Sequence, residues 1–312
     1  LGLAPKITEI PTVIHIQGNL NAYFLKWRYG SSYQLVNLFH AKFKNIILNK
    51  STFSKYYIWK KNLNRERIIF KINNNYMGRT KWDHDIVKIF NQQSNYYHCE
   101  EAIRPVFFNR IFKNFYDTSS NKSLSLVSII GENTYKGLEL VFRTADILDD
   151  VNFKYSWSII GVEKKSEIVQ ISKAVAKISS LDKMQLSFLG KLYDQNLIYT
   201  LENSHLYVHP SHIENSPNSV CEAMLIGMPV VACNVGGLSS IIKDNENGIL
   251  SPQGDPFVLA RQIIDISGDI IKQKKIGKNA RKTGLKRHNT KIISAQLQYC
   301  YESIIKTTSE HS

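Results

Sequence analysis

Glu214 and Glu222 stand with seven residues between them, and Gly236-Gly237 follows downstream. An ionised carboxylate only accepts hydrogen bonds, and its two oxygens can take two hydroxyl donors at once. Paired glycines let the backbone come close to a ligand. The elements that must position these groups are legible around them. His205 to Ser211 reads as a short buried strand, with Leu206, Tyr207 and Val208 between polar flanks. A loop carrying Glu214 leads to a helix opening near Pro217, a residue suited to a first helical turn. Glu222 is the one charge inside that helix, Gly227 closes it, and Pro229 to Cys233 form a second strand. Strand, helix and parallel strand, with acids and glycines at the strand ends, describe a nucleotide site at the carboxyl edge of a doubly wound sheet.

The ordered series Glu214, Glu222, Ala223-Met224, Gly227, Pro229-Val230-Val231 and Gly236-Gly237 resembles the donor-site signature of the retaining family 4 glycosyltransferases. Two further strings, Gly78-Arg79-Thr80-x-Trp82-Asp83 and Tyr96 to Pro105, resemble a bacterial polysaccharide-assembly branch of that family. The resemblance implies the α/β fold called GT-B: two Rossmann-like, doubly wound domains facing a cleft. On this reading residues 1–118 are the C-terminal part of an acceptor-side domain, and residues 119–290 bind a nucleotide-sugar donor. Residues 291–312 then form a helix crossing back to the first domain. Relatives carry an opening strand and glycine-rich loop upstream of anything present here. The expectation is a first domain that is incomplete in this chain, a sequence lacking its N-terminal part.

Composition narrows the classes further. A length of 312 residues fits two domains, and an apolar fraction of 43% supplies proper cores. No run of 18 apolar residues occurs, and the opening LGLAPKITEIP lacks a basic stretch followed by an apolar one. Cys99, Cys221, Cys233 and Cys300 have neither metal-ligand nor disulfide spacing, which reads as reduced core thiols of a cytoplasmic protein. The net charge of +14 is uneven: residues 1–123 carry 19 basic against 7 acidic residues, and residues 124–312 carry 21 against 19. Such a field favours an anionic partner. No nucleic-acid-binding motif accompanies it. The inner leaflet of a membrane, touched peripherally by the basic first domain, is the reading left, beside that of a merely solubilising surface.

Along the first half, Thr12 to Ile16 reads as a buried strand feeding Gln17-Gly18, with His15 a core histidine. Residues 19–64 read as helices and loops, including an amphipathic stretch at Tyr56 to Trp59. Ile68 to Ile72 reads as a strand. Thr80 is a helix cap with Asp83 and Asp85 in the first turn. Arg79 either holds a phosphate or pairs with Asp83 or Asp85. The Asp83-His84-Asp85 spacing would suit a divalent cation, yet it lies away from the donor signature, and the resemblance implies no metal. Asn109 to Ser123 reads as a polar interdomain linker.

In the second half, Leu124 to Ile130 ends in Gly131, and Lys136-Gly137 precedes a helix. The resemblance makes this pair the phosphate-binding Lys-Gly, a point charge beside free backbone N–H groups. Two positions depart from the family: Glu132 stands where Arg is usual, and Ser240 where Glu is usual. Leu238 to Lys243 reads as a short helix whose N-terminus faces phosphate, and 272–288 as a solvated helical face.

The function so implied is sugar transfer from a nucleotide diphosphate sugar, a co-substrate rather than a resident cofactor, to a hydroxyl of a glycan or lipid-linked acceptor, with retention. Glu214 and Lys136 are the expected catalytic residues. Glu222 would bind the ribose, and Asn218, Ser219, Gly131, Gly236 and Gly237 would complete the donor site. Gln17, Gly18 and Arg79 would face the acceptor, although Gln17 cannot act as a base near neutral pH. The alternative is a catalytically inactive nucleotide-sugar-binding or scaffold subunit of the same fold.

Overall fold

The computed structural model describes residues 10–26, 52–120 and 122–309. The opening residues and the middle of the 19–64 stretch lie outside these described residues. Two parallel sheets organise the chain. The smaller holds β1 (Ile14–His15), β2 (Asn75–Gly78) and β3 (Asn95–His98) in that order. The larger holds six strands: β4 (Leu124–Ile129), β5 (Tyr155–Ile160), β6 (Leu186–Gly190), β7 (Leu206–His209), β8 (Val230–Cys233) and β9 (Ile249–Ser251). Their spatial order, β6-β5-β4-β7-β8-β9, is the doubly wound arrangement that reverses between β4 and β7. At such a reversal the loops after the two central strands diverge and leave a crevice beyond their carboxyl ends.

The helices are α1 (Leu20–Lys26), α2 (Thr52–Ile72), α3 (Lys81–Phe90), α4 (Leu138–Asp150) and α5 (Glu167–Ala176), followed by α6 (Asp194–Glu202), α7 (Asn218–Ile226), α8 (Pro256–Ser267), α9 (Ile270–Arg287) and α10 (Thr290–Ser309). Helices on both faces leave the inner strands no solvent side, so β7 and β8 are buried at every position. Their continuous apolar runs are the sequence mark of that burial. Helix α10 crosses back to the smaller sheet, where Ile293, Cys300 and Ile304 pack with Met77 and Cys99. No helix among the described residues is long and apolar enough to cross a membrane.

Three expectations change. Ile68 to Ile72 ends helix α2 rather than forming a strand. Positions 59, 62, 63, 66, 69 and 70 turn inward at helical spacing, and that period outweighs the β-branched composition of the last turn. Within α2, Glu66 accepts from the backbone amides of Leu20 (2.5 Å) and Asn21 (2.7 Å), closing the start of α1. The stretch 109–123 is no free tether, since Phe112 and Tyr116 are buried in the core of the larger sheet. Leu238 to Lys243 makes only a three-residue 3-10 turn, Leu238–Ser240, too short to aim a helix dipole at a phosphate.

Helix α9 carries eight basic and no acidic residues, yet it is not solvated all round. Gln273, Ile276, Gly277, Ala280 and Gly284 form a buried stripe against α7. At Gly277 a Cβ would stand 2.3 Å from the Gly227 carbonyl oxygen, so the two backbones meet where no side chain fits. Replacing Gly277 with Ala should cost about 1–3 kcal/mol through overpacking. Urea unfolding would show it as a lowered midpoint, with Lys278→Ala on the exposed side nearly neutral.

Candidate functional site

The crevice between β4 and β7 gathers the groups picked out by type and spacing. Strand β4 runs out at Gly131, where a Cβ would meet nothing within 4 Å, so this strand end opens on free space. The loop behind it makes a 3-10 turn, Thr134–Lys136, that brings Lys136 to the start of α4. Strand β7 runs out at His209 into the loop carrying Ser211 and Glu214. Lys136 Nζ lies 2.5 Å from Glu214 Oε1. The Ser211 hydroxyl donates to the same oxygen at 2.9 Å, and His209 Nε2 lies 3.5 Å from it. Glu214 Oε2 accepts no hydrogen bond from the described residues.

Burial works against the charge on Glu214, but Lys136 and His209 more than offset it, lowering its pKa from 4.5 to about 2. The loop that carries this carboxylate is clasped from behind by the paired glycines. Gly236 has φ +51°, and a Cβ there would stand 1.9 Å from the Glu214 carbonyl oxygen. Gly237 donates its amide to that same oxygen at 2.9 Å. The glycines therefore seat the Glu214 loop, a role additional to any approach to ligand. A buried pair, His212 with Glu139, pins the loop to the first turn of α4.

Glu222 sits one helical turn inside α7, only 5% exposed. Its partner is a residue the sequence reading left unassigned: Arg104 Nη2 and Nε reach Glu222 Oε1 at 2.8 and 3.2 Å. Glu222 Oε2, like its counterpart on Glu214, accepts no hydrogen bond from the described residues. Burial pushes the Glu222 pKa upward, and the Arg104 guanidinium opposes the rise. The two carboxylates share a neighbour. The buried Tyr207 hydroxyl lies against Ser219 and feels the charge of both Glu222 and Glu214, so its pKa is raised by burial and by both acids. Ser219 is half-buried beside them, and Asn218 is exposed at the helix opening. Glu132 is exposed.

The first domain closes on this site through the Gly78-Arg79-Thr80 strand end. Thr80 caps α3 in a capping box with Asp83, as its position predicts. The Thr80 hydroxyl also donates to Asn215 Oδ1 at 2.6 Å, and the Asn215 side chain donates to Asp83 at 3.0 Å. Asn215 is the residue after Glu214, so the donor-side acid and the first domain are one residue apart. Asp83 receives Tyr96 as well, while the exposed Asp85 pairs with Lys81 and His84.

Arg79 is buried and pairs with Glu101, not with either aspartate, and its Nη2 lies 3.1 Å from Gln17 Oε1. Its guanidinium is thereby held by protein groups, which corrects the expectation of an ion pair with Asp83 or Asp85. Gln17, Gly18 and Arg79, expected to face an acceptor, do lie together, with Gln17 and Gly18 exposed. His15 is exposed too and meets Gln17 at 3.1 Å, so it is not a core histidine. Partial burial and the Arg79 charge lower its pKa. On α2, Trp59 lies 6.2 Å from the Tyr135 ring and helps join the domains, while Tyr57 and Ile58 stay exposed.

Comparison with known proteins agrees with this geometry. A family model described as "Glycosyl transferases group 1" matches residues 115–283. Over 104 residues the chain is 29% identical to the capsular polysaccharide biosynthesis glycosyltransferase CapM of Staphylococcus aureus, covering 33% of this chain and 27% of that protein. It is 23% identical over 192 residues to the amylovoran biosynthesis glycosyltransferase AmsK of Erwinia amylovora, covering 60% of this chain and 45% of that protein. The chain thus matches less than half the length of either. Among solved structures, HepE of Anabaena in complex with UDP and glucose superposes with a TM-score of 0.68 at 16% identity, over 96% of this chain and 74% of that one. Such neighbours share the GT-B architecture of facing Rossmann-like units.

The Lys136–Glu214 pair predicts a measurable penalty. Lys136→Met would leave a buried carboxylate short of its main counter-charge and lower stability at pH 7 by about 1–3 kcal/mol. Adding Glu214→Gln should recover most of that loss. Because the folded pKa of Glu214 is depressed, its contribution is complete above about pH 4.5 and fades as the pH falls towards 2. Chemical denaturation of the four proteins of this cycle at pH 7 and pH 3 would check both statements.

Proposed function

Because the chain belongs to the glycosyl transferases of group 1, we propose that it moves a sugar from a nucleotide diphosphate sugar to a hydroxyl of a glycan or lipid-linked acceptor, with retention of anomeric configuration. The observation that carries this reading is the pair of buried carboxylates at the switch point. Each is engaged by protein at Oε1, and each Oε2 accepts from no described residue. In this reading Glu222 takes the ribose hydroxyls. Glu214, kept ionised, binds hydroxyls of the transferred sugar and favours the positive charge that develops on it. Lys136 and the Gly236 amide stabilise the departing diphosphate while the Gly237 amide holds the Glu214 loop, with Gly131, Asn218 and Ser219 lining the diphosphate's path.

The bond from the anomeric carbon to the diphosphate oxygen breaks as the acceptor oxygen bonds to the same face. Gln17 cannot accept the acceptor's proton, so that proton passes to the departing phosphate oxygen. No nucleophile of the enzyme is required, and charge compensation is assigned to Lys136 and the Gly236 amide rather than to a metal. The matched relatives of S. aureus and E. amylovora are named for polysaccharide biosynthesis, and the Anabaena neighbour holds UDP and glucose, which favours a surface-polysaccharide role. We place the reaction in the cytoplasm, with the basic first domain against an anionic membrane face.

Glu222→Ala should weaken binding of its nucleoside diphosphate at least tenfold in a calorimetric screen of uridine, guanosine and adenosine diphosphates. Glu214→Ala should leave that affinity within a few-fold while transfer falls by two orders of magnitude or more. The anomeric proton coupling of the product reports the stereochemistry. Inversion, or an affinity indifferent to Glu222, would defeat the proposal.

A further inference from the structure

Arg104 belongs to none of the motifs that mark the donor site, yet it reaches into that site from the segment joining β3 to the larger domain. Its guanidinium is held in three directions. Nη2 and Nε meet Glu222 Oε1 at 2.8 and 3.2 Å, and Nη1 meets Asp194 Oδ1, at the opening of α6, at 3.2 Å. The guanidinium carbon stands 5.0 Å over the Phe107 ring. A planar fork with donors on two edges suits this work better than a flexible ammonium. All of its contact with Glu222 falls on Oε1, which holds that oxygen in place while Oε2 accepts from no described residue.

From this geometry we propose that Arg104 is a positioning residue: it fixes the Glu222 carboxylate in one orientation and keeps it ionised for donor binding. The inference rests on the assignment of Glu222 to the ribose of a nucleotide sugar. An ionised carboxylate can accept from both ribose hydroxyls, whereas a protonated one presents a donor of its own at that edge. The groups facing Glu222 are few. Among the described residues Arg104 is the one cation in contact with it, with Asp194 behind; Tyr207 on β7 lies on the other side, with Glu214 beyond it. Burial alone would drive Glu222 towards its neutral form, and Arg104 is what opposes it. Of these groups, Arg104 alone favours the charged form.

The test is nucleotide affinity as a function of pH. Wild-type protein, Arg104→Met, Arg104→Lys, Asp194→Asn and Glu222→Ala would be titrated with uridine, guanosine and adenosine diphosphates between pH 5 and pH 8. For the nucleotide that binds, Arg104→Met should be about tenfold weaker at pH 7. Its affinity should fall with acidification from a pH about one unit above the wild-type limb. Arg104→Lys, which keeps the charge but not the fork, should lie between the two. Asp194→Asn, which removes the carboxylate competing for Arg104 and keeps the guanidinium, should move the limb the opposite way by a smaller step and covers the case of an unstable methionine variant. A limb unmoved in Arg104→Met, or lysine no better than methionine, would overturn the role of Arg104 while a weakened Glu222→Ala leaves the ribose assignment standing. A Glu222→Ala variant that binds as tightly as wild type would instead remove the assignment itself.

Discussion

An ionised carboxylate in a nearly closed interior needs a counter-charge, and in this chain Glu214 obtains one from Lys136, on a different strand's loop. Much of the surrounding architecture follows from that need. The two loops can meet only where neighbouring parallel strands diverge, at the reversal of strand order between β4 and β7. The loop holding Glu214 must then be fixed from behind, and Gly236-Gly237 does this by letting backbone meet backbone at its carbonyl. The His212–Glu139 pair adds a second anchor. A depressed pKa, two glycines and a strand reversal are consequences of one buried charge pair.

The same loop couples the two sheets. Asn215, directly after Glu214, is bound by Thr80 and Asp83 of the smaller unit, and its backbone amide donates to the Tyr23 hydroxyl at 3.1 Å. On the other side of Thr80, Arg79 ties the β2 end to Glu101 and Gln17. Arg287 of α9 donates to the Arg79 carbonyl oxygen at 3.0 Å and pairs with Glu100 at 2.6 Å. A movement of either sheet would therefore be felt at Glu214 within a few covalent bonds. Gln17, Arg79, Thr80 and Glu214 are thereby linked through a short run of bonded residues.

Legibility varied along the chain for physical reasons. Strands β4, β7 and β8 stand close to where apolar runs and turn residues place them, because a strand buried on both faces carries an unbroken apolar signal. Thr80 and Asp83 were readable as a cap because capping is decided within four residues. The strand expected at Ile68 to Ile72 failed because a short β-branched run carries no direction of its own, and the long helix before it continued through. The linker at 109–123 concealed two buried aromatic residues among polar ones, a pattern without period.

From residue types and spacing came the α/β class and the Glu214, Glu222 and Gly-Gly set, and the family resemblance they carry added Lys136, since each lies within a local stretch of strand, loop and helix. The partners of those residues came only with the tertiary structure. Nothing in the sequence linked Arg104 to Glu222 across 118 residues, Arg79 to Glu101 rather than to Asp83, or Asn215 to Thr80. A side chain's local neighbours follow from backbone periodicity. Which charge neutralises which is decided by what the folded sheets bring within a few ångströms.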